Sequence, residues 1–263
     1  MVDSSHISEN TNLVSIMFGN NEIGTIQPIL QIAKICHDHK VLFHTDAIQA
    51  VGKIPIDVKK LGVDLLSISS HKLYGPKGVG ALFIKNGIDI DPIILGGGQE
   101  HGLRSGTENV ANIVGFGKAC EIAKNNLQDN ISHVKHLRDF LIRSVINEIP
   151  KVTLNGHPEF RLPNNAHFTF LGVNGEDLII KLDEYGIAAS TGSACSVNTQ
   201  KASHVLESLN FSYEQITGSL RLTIGIFNNQ KEIEQAVDIL KKTVHELRLV
   251  SPYKEKYSFT SKT

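Results

Sequence analysis

Short runs of apolar residues alternate with longer amphipathic stretches along the first half of the chain. The runs at residues 11–19, 41–47 and 65–71 have the length and apolar content of buried strands. Between the first two, residues 29–40 show the apolar spacing of a helix. A further strand is predicted at residues 78–84, after a glycine- and proline-rich turn. This alternation predicts an α/β unit with a mainly parallel sheet.

A glycine-rich polar loop follows this unit and leads into a long helical stretch. The loop covers residues 96–109 and has too many glycines for a regular element. Long loops in compact domains are usually functional. Helical spacing then continues over residues 109–149. We predict a domain boundary within this stretch, which gives a first domain of residues 1–128 and a second of residues 129–263.

The C-terminal part has a different order of elements. Residues 151–156, 165–173 and 220–225 read as strands, while residues 175–186 and 230–250 have the spacing of amphipathic helices. Strands and helices no longer alternate regularly here. The pattern predicts a smaller α+β domain at the C-terminus.

Composition and charge narrow the range of functions. The chain has 26 basic and 27 acidic residues and a net charge of −1, so neither nucleic acid nor an anionic membrane is expected as a partner. No apolar run reaches the roughly 18 residues of a membrane span, and the polar start is unlike a secretory signal. The three cysteines are widely spaced, without a CxxC pair. Together these features predict a cytoplasmic protein.

Two residues at the ends of predicted strands could carry chemistry. Asp46 ends a predicted buried strand, where open α/β sheets bind ligands; the structural alternative is a helix N-cap. Lys72 follows the next strand-like segment. A desolvated lysine becomes a nucleophilic amine, although a lysine can also bury only its stem and extend its head to water. Together with a phosphate-binding loop, an aspartate and a lysine meet the requirements of pyridoxal phosphate (PLP) chemistry.

One cysteine differs from the other two in its neighbours. Cys195 lies in the sequence ASTGSACSVNTQ, among small and polar residues typical of a loop. Cys36 and Cys120 instead lie on apolar faces of predicted helices, and buried free cysteines are usually inert. Cys195 is therefore the candidate for a reactive thiol.

Six segments, in the same order, resemble the cysteine desulfurases, a group within the class V aminotransferase-like PLP enzymes. They are GNNEIGTIQPI, FHTDAIQAVGKIPID, SSHKLYGPKGVGAL, GGGQEHGLRSGTEN, STGSACS and SLRLTIG. The resemblance covers nearly the whole chain. It implies a partial large domain of the PLP-dependent transferase fold type I, followed by the small domain. It also implies conversion of L-cysteine to L-alanine, with the sulfur carried away as a persulfide.

The resemblance implies a role at the cofactor for six residues. Lys72 would form the Schiff base with PLP, an aspartate would pair with the pyridine nitrogen, and a glutamine would bond the ring oxygen. Two residues would bind the phosphate within the subunit, and Thr107 would do so in the neighbouring subunit, which implies a homodimer. The cofactor-binding residues are Asp46, Gln49, Ser69, His71, Lys72 and Thr107.

Three further residues would handle the substrate. The resemblance implies that Asn21 and Arg221 hold the substrate carboxylate, and arginine suits this role because its planar fork donates two parallel hydrogen bonds. Cys195 would attack the substrate sulfur. No resident metal is expected, although Cys195 could serve as a transient iron–sulfur ligand. The expected partner is a sulfur-acceptor or scaffold protein, for iron–sulfur cluster assembly or tRNA thiolation.

Two departures from the family pattern leave alternatives open. The family's GRF or GRY reads GIF at residues 225–227. The family also has an N-terminal third, with a phosphate loop and a histidine stacked on the PLP ring, that this sequence lacks. We therefore expect a fragment or a split or truncated gene product with little activity alone. The alternatives are a selenocysteine lyase and an inactive remnant that only dimerises.

Overall fold

The computed structural model describes residues 4–192, 203–253 and 256–257 of the chain. The chain divides into two compact units. The first contains Met1–Gly19 and Gln27–Leu127, and the second contains Asn20–Ile26 and Gln128–Thr263. The chain passes from one unit to the other next to the boundary expected from the sequence. The assignment of residues 20–26 to the second unit was not predicted.

The first unit is built on a four-stranded sheet in the order β1-β2-β3-β4. Strands β1, β2 and β3 are parallel, and β4 runs antiparallel to β3. This arrangement confirms the predicted α/β unit with a mainly parallel sheet. The strands are β1 (Leu13–Met17), β2 (Leu42–Asp46), β3 (Leu65–Ser69) and β4 (Gly80–Ile84).

Three α-helices lie in the described part of this unit. Helix α1 (Ile29–Asp38) begins directly after Pro28, and its apolar side chains at three- to four-residue spacing are buried. The short helix α2 (Val58–Leu61) is capped by Asp57, whose carboxylate accepts hydrogen bonds from the amides of residues 59 and 60. Helix α3 (Val110–Asn125) packs next to the turn that follows β3.

Two helices, with a short break between them, occupy the helical stretch expected over residues 109–149. Helix α3 ends at Asn125, and helix α4 (Leu127–Glu148) begins two residues later. The side-chain Nδ2 of Asn126 donates to the carbonyl oxygen of Ile122 at 2.9 Å. Asparagine competes in this way with the backbone for hydrogen bonds, which favours a helix end. Apolar periodicity does not detect a one-residue break of this kind.

A buried carboxylate joins the elements of the first unit. Asp64 is 3% exposed and accepts hydrogen bonds from Lys85 Nζ at 2.9 Å, from the Phe43 amide at 3.0 Å and from His37 Nε2 at 3.1 Å. Burial alone would raise the pKa of this carboxyl. The hydrogen bonds from Lys85, the Phe43 amide and His37 outweigh burial and hold the pKa of Asp64 below its ordinary value.

This network predicts a stability that depends on Asp64 being ionised. Because the pKa is lower in the folded state, the stabilisation is present above the unfolded value of about 4 and is lost as the pH falls below it. We expect Asp64→Asn to lower the free energy of unfolding at neutral pH by about 1–3 kcal/mol and to flatten its acid dependence. Urea unfolding from pH 7 downwards measures both quantities. An unchanged acid limb in the variant would contradict the prediction, and Asp57→Asn, at an exposed cap, is the control.

The second unit contains a three-stranded antiparallel sheet in the order β5-β6-β7. One face of this sheet is apolar, and a core of phenylalanine, leucine, valine and isoleucine side chains lies against it. These strands and helices give the α+β character expected for this part of the chain. Helix α4 contributes buried side chains to the same core. The other elements are β5 (Val152–Leu154), β6 (Asn165–Phe170), β7 (Ser219–Thr223), α5 (Gly175–Glu184), α6 (His204–Ser208), α7 (Tyr213–Thr217) and α8 (Gln230–Leu249).

The other face of this sheet is polar and yet mostly buried. Asn165, His167 and Thr169 alternate along β6 with the core side chains, as the two-residue period of a strand requires. Residues 20–26 are hydrogen-bonded to this part of the unit: the Asn165 side chain donates to the carbonyl oxygen of Glu22 at 2.8 Å. A side chain at Gly24 would collide with Asn165, which explains the glycine there.

The described residues contain neither a membrane-spanning helix nor a cluster of metal-binding side chains. None of the helices in the described ranges is long and apolar enough to cross a membrane. Within the same ranges, no group of three or more histidine, cysteine, aspartate or glutamate side chains is arranged to hold a metal ion.

Candidate active site

The first group of predicted site residues lies at the carboxyl ends of β2 and β3. Asp46 is the last residue of β2 and pairs with Ser67 of β3 in the parallel register. One carboxylate oxygen of Asp46 accepts a hydrogen bond from the Ile48 amide at 2.9 Å. This bond fixes the side chain at the strand end, where parallel sheets present ligand-binding groups.

Lys72 lies in a short 3₁₀ turn, Ser70–Leu73, that directly follows β3. The Ser69 hydroxyl and His71 Nδ1 are 2.8 Å apart and share a hydrogen bond. His71 is exposed, while Lys72 is half-buried. The sheet edge therefore presents a hydroxyl, an imidazole and an amine within four consecutive residues.

The glycine-rich sequence after Lys72 lets the chain turn tightly against its neighbours. Tyr74 ends the turn in the left-handed conformation, with φ of 63°, a conformation that non-glycine residues seldom adopt and that often occurs at functional sites. A Cβ at Gly75 would lie 2.3 Å from the Ser70 hydroxyl and 2.9 Å from the Ala119 methyl. Only glycine fits there, so the local sequence holds the turn that carries Lys72 against α3.

A second lysine near Lys72 was missed by sequence reasoning. Lys53 donates from Nζ to the backbone carbonyl of Gln49 at 3.1 Å. Burial, and then the positive charge of Lys72, lower the pKa of Lys53 to about 8. The four-residue spacing from Gln49 in the sequence QAVGK was the available signal, since a helical turn brings such residues together.

These residues fit PLP, which needs a carboxylate for its ring nitrogen, an amine for its aldehyde and donors for its phosphate. Asp46 would supply the carboxylate and Lys72 the amine. Ser69 and His71 are donors suited to phosphate oxygens. The repulsion between Lys53 and Lys72 is relieved when an anion binds nearby, and the phosphate of PLP is such an anion. Gln49 is half-buried just after Asp46.

Thr107 lies apart from this group along the chain. It is exposed in the segment just before α3. The hydrogen bonds found among the described residues do not join it to Ser69 or His71. Its expected role in a neighbouring subunit therefore remains a prediction.

Asn21 and Arg221 meet in the second unit. Arg221 lies on β7, and its Nη1 donates to the backbone carbonyl of Asn21 at 2.9 Å. The backbone of Arg221 also exchanges two hydrogen bonds with Ser190, at 2.5 and 3.2 Å. Arg221 is half-buried, with its backbone held by Ser190 and its guanidinium by the Asn21 carbonyl. A planar donor fork held in this way is suited to a carboxylate.

The reactive cysteine expected from the sequence, Cys195, lies outside the described residues. The other two cysteines are described. Burial, and then the charge of Asp64, raise the pKa of the Cys36 thiol, and burial raises that of Cys120. A raised pKa disfavours the thiolate, in keeping with the inert character expected for both residues.

The chain is similar to cysteine desulfurases along nearly its whole length. The cysteine desulfurase IscS of Dictyoglomus turgidum is 48% identical over 257 residues, which cover 98% of this chain and 65% of that protein. The Clostridium botulinum IscS is 49% identical over 253 residues, or 95% of this chain and 64% of that protein. The chain thus spans just under two thirds of the length of these relatives.

Solved structures show the same likeness in three dimensions. The X-ray structure of a NifS-like protein from Rickettsia africae superimposes with a TM-score of 0.81 at 34% sequence identity, covering 89% of this chain and 62% of that one. This likeness confirms the expected partial fold of type I PLP-dependent enzymes. The family model of aminotransferase class-V matches residues 2–236. The chain therefore belongs to the aminotransferase class-V family.

Proposed function

We propose that this chain carries the PLP-binding and sulfur-accepting parts of a cysteine desulfurase. The observation that supports it most strongly is the group at the ends of β2 and β3, where Asp46, Ser69, His71 and Lys72 follow two adjacent parallel strands. The similarity to cysteine desulfurases supports L-cysteine as the substrate and gives no support to a selenocysteine lyase or to a remnant that only dimerises.

Each of these side chains would have a separate role in binding PLP or in catalysis. Lys72 would hold PLP covalently and later move a proton at the substrate Cα. Asp46 would keep a proton on the pyridine nitrogen, and Gln49 would donate to the ring oxygen. Ser69 and His71 would bind the phosphate. Bound PLP supplies an electron sink for the charge that develops at Cα.

The substrate would be held by its carboxylate and would give up its sulfur to a thiol. Arg221 and Asn21 would bind the carboxylate and so orient the Cα–H bond. The Cys195 thiolate would attack the substrate sulfur, forming an S–S bond as the C–S bond breaks. The products are L-alanine and a persulfide on Cys195, so no external oxidant is needed. A sulfur-acceptor or scaffold protein in the cytoplasm would then take the sulfur.

The protein would act as a homodimer, with one face of α3 at the interface between the two subunits. Helix α3 buries Phe116 and Ala119 against its own unit, while Val110 and Val114, 64% and 66% exposed, lie on its outer side. An apolar helix face of this kind is typical of an interface. Thr107 lies just before the helix, and its proposed phosphate contact in a neighbouring subunit makes a second copy the occupant that we propose for this face.

Replacing Cys195 by serine tests the proposed reaction. The chain is supplied with PLP, L-cysteine, a reductant and the N-terminal third of the Dictyoglomus relative, and L-alanine and sulfide are measured. We expect turnover in the mixture and at least a hundredfold loss in Cys195→Ser, because a hydroxyl is a far weaker nucleophile than a thiolate. PLP binding should be unchanged. Unimpaired alanine formation by Cys195→Ser would contradict the proposal, and Cys120→Ser is the control.

A further inference from the structure

A buried carboxylate of the second unit, that of Glu22, takes no direct part in the proposed reaction. Glu22 is 2% exposed and directly follows Asn21, the residue proposed to bind the substrate carboxylate. Its side-chain Oε2 accepts a hydrogen bond from the Ser203 hydroxyl at 2.5 Å. Short distances of this kind are usual when a hydroxyl donates to a carboxylate. The contact joins two residues that are 181 positions apart in the chain.

The backbone of Glu22 is fixed independently of its side chain. Its amide donates to the side-chain Oδ1 of Asn20 at 2.9 Å, and its carbonyl accepts from Asn165 Nδ2 at 2.8 Å. The next carbonyl along the chain, that of Ile23, accepts from the buried guanidinium of Arg161 at 2.8 Å. Because these bonds involve backbone atoms of residues 22 and 23, they remain available when the side chain of Glu22 is replaced.

The Ser203 hydroxyl makes two hydrogen bonds with different partners. Ser203 is the N-cap residue of α6, and its oxygen accepts from the Leu206 amide at 3.3 Å while the hydroxyl donates to Glu22. A hydroxyl can do both, since it has one proton and two lone pairs. Donation to a carboxylate also makes the oxygen a better acceptor, because hydrogen bonds in a chain polarise one another. Glu22 therefore supports the start of α6 through Ser203.

The same carboxylate lies next to both residues that border the segment containing Cys195. Residues 193–202, which lie outside the described ranges, join Gly192 to Ser203. A Cβ placed on Gly192 would lie 3.4 Å from Glu22 Oε2, and the Ser203 hydroxyl lies 2.5 Å from that atom. The described residues on either side of the segment therefore meet at one carboxylate oxygen.

We propose that Glu22 is a positioning residue for sulfur transfer, because it holds Ser203, the residue at which the described chain resumes after Cys195. The proposal rests on the proposed function, which assigns sulfur attack to Cys195 and carboxylate binding to Asn21. In that step a bond forms between the two sulfur atoms as the substrate C–S bond breaks, and the atoms must first approach to about 3–3.5 Å. Glu22 takes no part in these bond changes. Its contact fixes the position of Ser203 relative to the segment that carries Asn21.

The rate of persulfide formation on Cys195 tests the proposal. It is measured by mass spectrometry after L-cysteine is added to the PLP-loaded chain together with the N-terminal third of the Dictyoglomus relative. We expect a rate at least about tenfold lower in Glu22→Ala and in Ser203→Ala. Glu22→Gln should stay within about threefold of the parent, because its amide oxygen still accepts from Ser203. The double variant with both alanines should be no slower than either single variant, since each removes the same contact. Losses that multiply in the double variant would overturn the proposal.

Two controls separate positioning from folding. Ser212→Ala removes a side-chain cap from α7 in the same unit, where the hydroxyl bonds the Gln215 amide, and it should leave the persulfide rate unchanged. The affinity of Glu22→Ala for L-alanine, from spectral titration, should stay within about threefold of the parent value, because Asn21 and Arg221 are both retained. An equal fall in this affinity and in the persulfide rate would overturn the proposal, since Glu22 would then act through the carboxylate site.

Hydrogen exchange of the chain alone measures the effect of the contact without PLP or turnover. The Leu206 amide should exchange at least about threefold faster in Glu22→Ala than in the parent or in Glu22→Gln. Unchanged exchange in Glu22→Ala would overturn the proposal. The parent separates the two levels of inference. If it forms no persulfide on Cys195, the proposed function and the role of Glu22 both fail. If it does, and Glu22→Ala forms persulfide at the same rate, only the role of Glu22 fails.

Discussion

Lys72→Ala is expected to abolish covalent binding of PLP. Lys72 directly follows the Ser69–His71 pair in the turn after β3. The variant lacks its amine. The absorption band of a Schiff base should form when PLP is added in excess to the parent chain. In Lys72→Ala the band should be absent, because the other lysine nearby, Lys53, donates to the Gln49 carbonyl and does not follow the Ser69–His71 pair.

Peptide mapping after borohydride reduction shows which lysine carries the cofactor. The label should be on Lys72 in the parent chain. Lys77→Ala is the matched control, because Lys77 is an exposed lysine in the same turn sequence, and it should keep both the band and the label. Labelling of Lys53 in the parent would contradict the assignment, as would an equal band in Lys72→Ala.

Arg221→Ala is expected to weaken the binding of amino acids selectively. Two charge-assisted hydrogen bonds to a carboxylate contribute about 2–4 kcal/mol together, which corresponds to a loss of about 30- to 1,000-fold in the affinity for L-alanine. The affinity for ethylamine should stay nearly the same. Titration of the PLP-loaded chain with each amine measures both values.

A second variant distinguishes loss of carboxylate binding from a change in the fold around Arg221. Arg221 also donates to the Asn21 carbonyl at 2.9 Å, so its removal can loosen residues 20–26. Arg221→Lys keeps the charge but loses the planar fork, and its affinity for L-alanine should lie between those of the parent and of Arg221→Ala. Equal losses for alanine and ethylamine would show that the residue acts through the fold and does not bind the carboxylate.

Much of the first unit could be predicted from the sequence. Strands β2 and β3 each begin with a short apolar run that is partly buried in the sheet, and α1 shows a clear apolar stripe because one face packs inward. The polar site residues come directly after these two strands in the sequence. The carboxyl ends of parallel strands lie together, so the sequence placed at one sheet edge Asp46, Ser69, His71 and Lys72. The chemistry proposed for them followed from residue types, while the individual roles came from the resemblance to a family and remain proposals.

The sequence by itself therefore determined the α/β character of the first unit and the sheet edge at which its polar residues meet. Both follow from the spacing of the apolar runs along the chain, which marks the strands and the helices between them. Only the tertiary structure decided the rest. Three features depend on residues far apart in the chain or on burial of a polar face. They are the position of Lys53 near Lys72, the contact between Arg221 and Asn21, and the burial of His167. In a sequence, buried polar residues cannot be told from surface residues. The pattern shows that a side chain is polar, but it does not show the hydrogen-bond partners that allow the side chain to be buried.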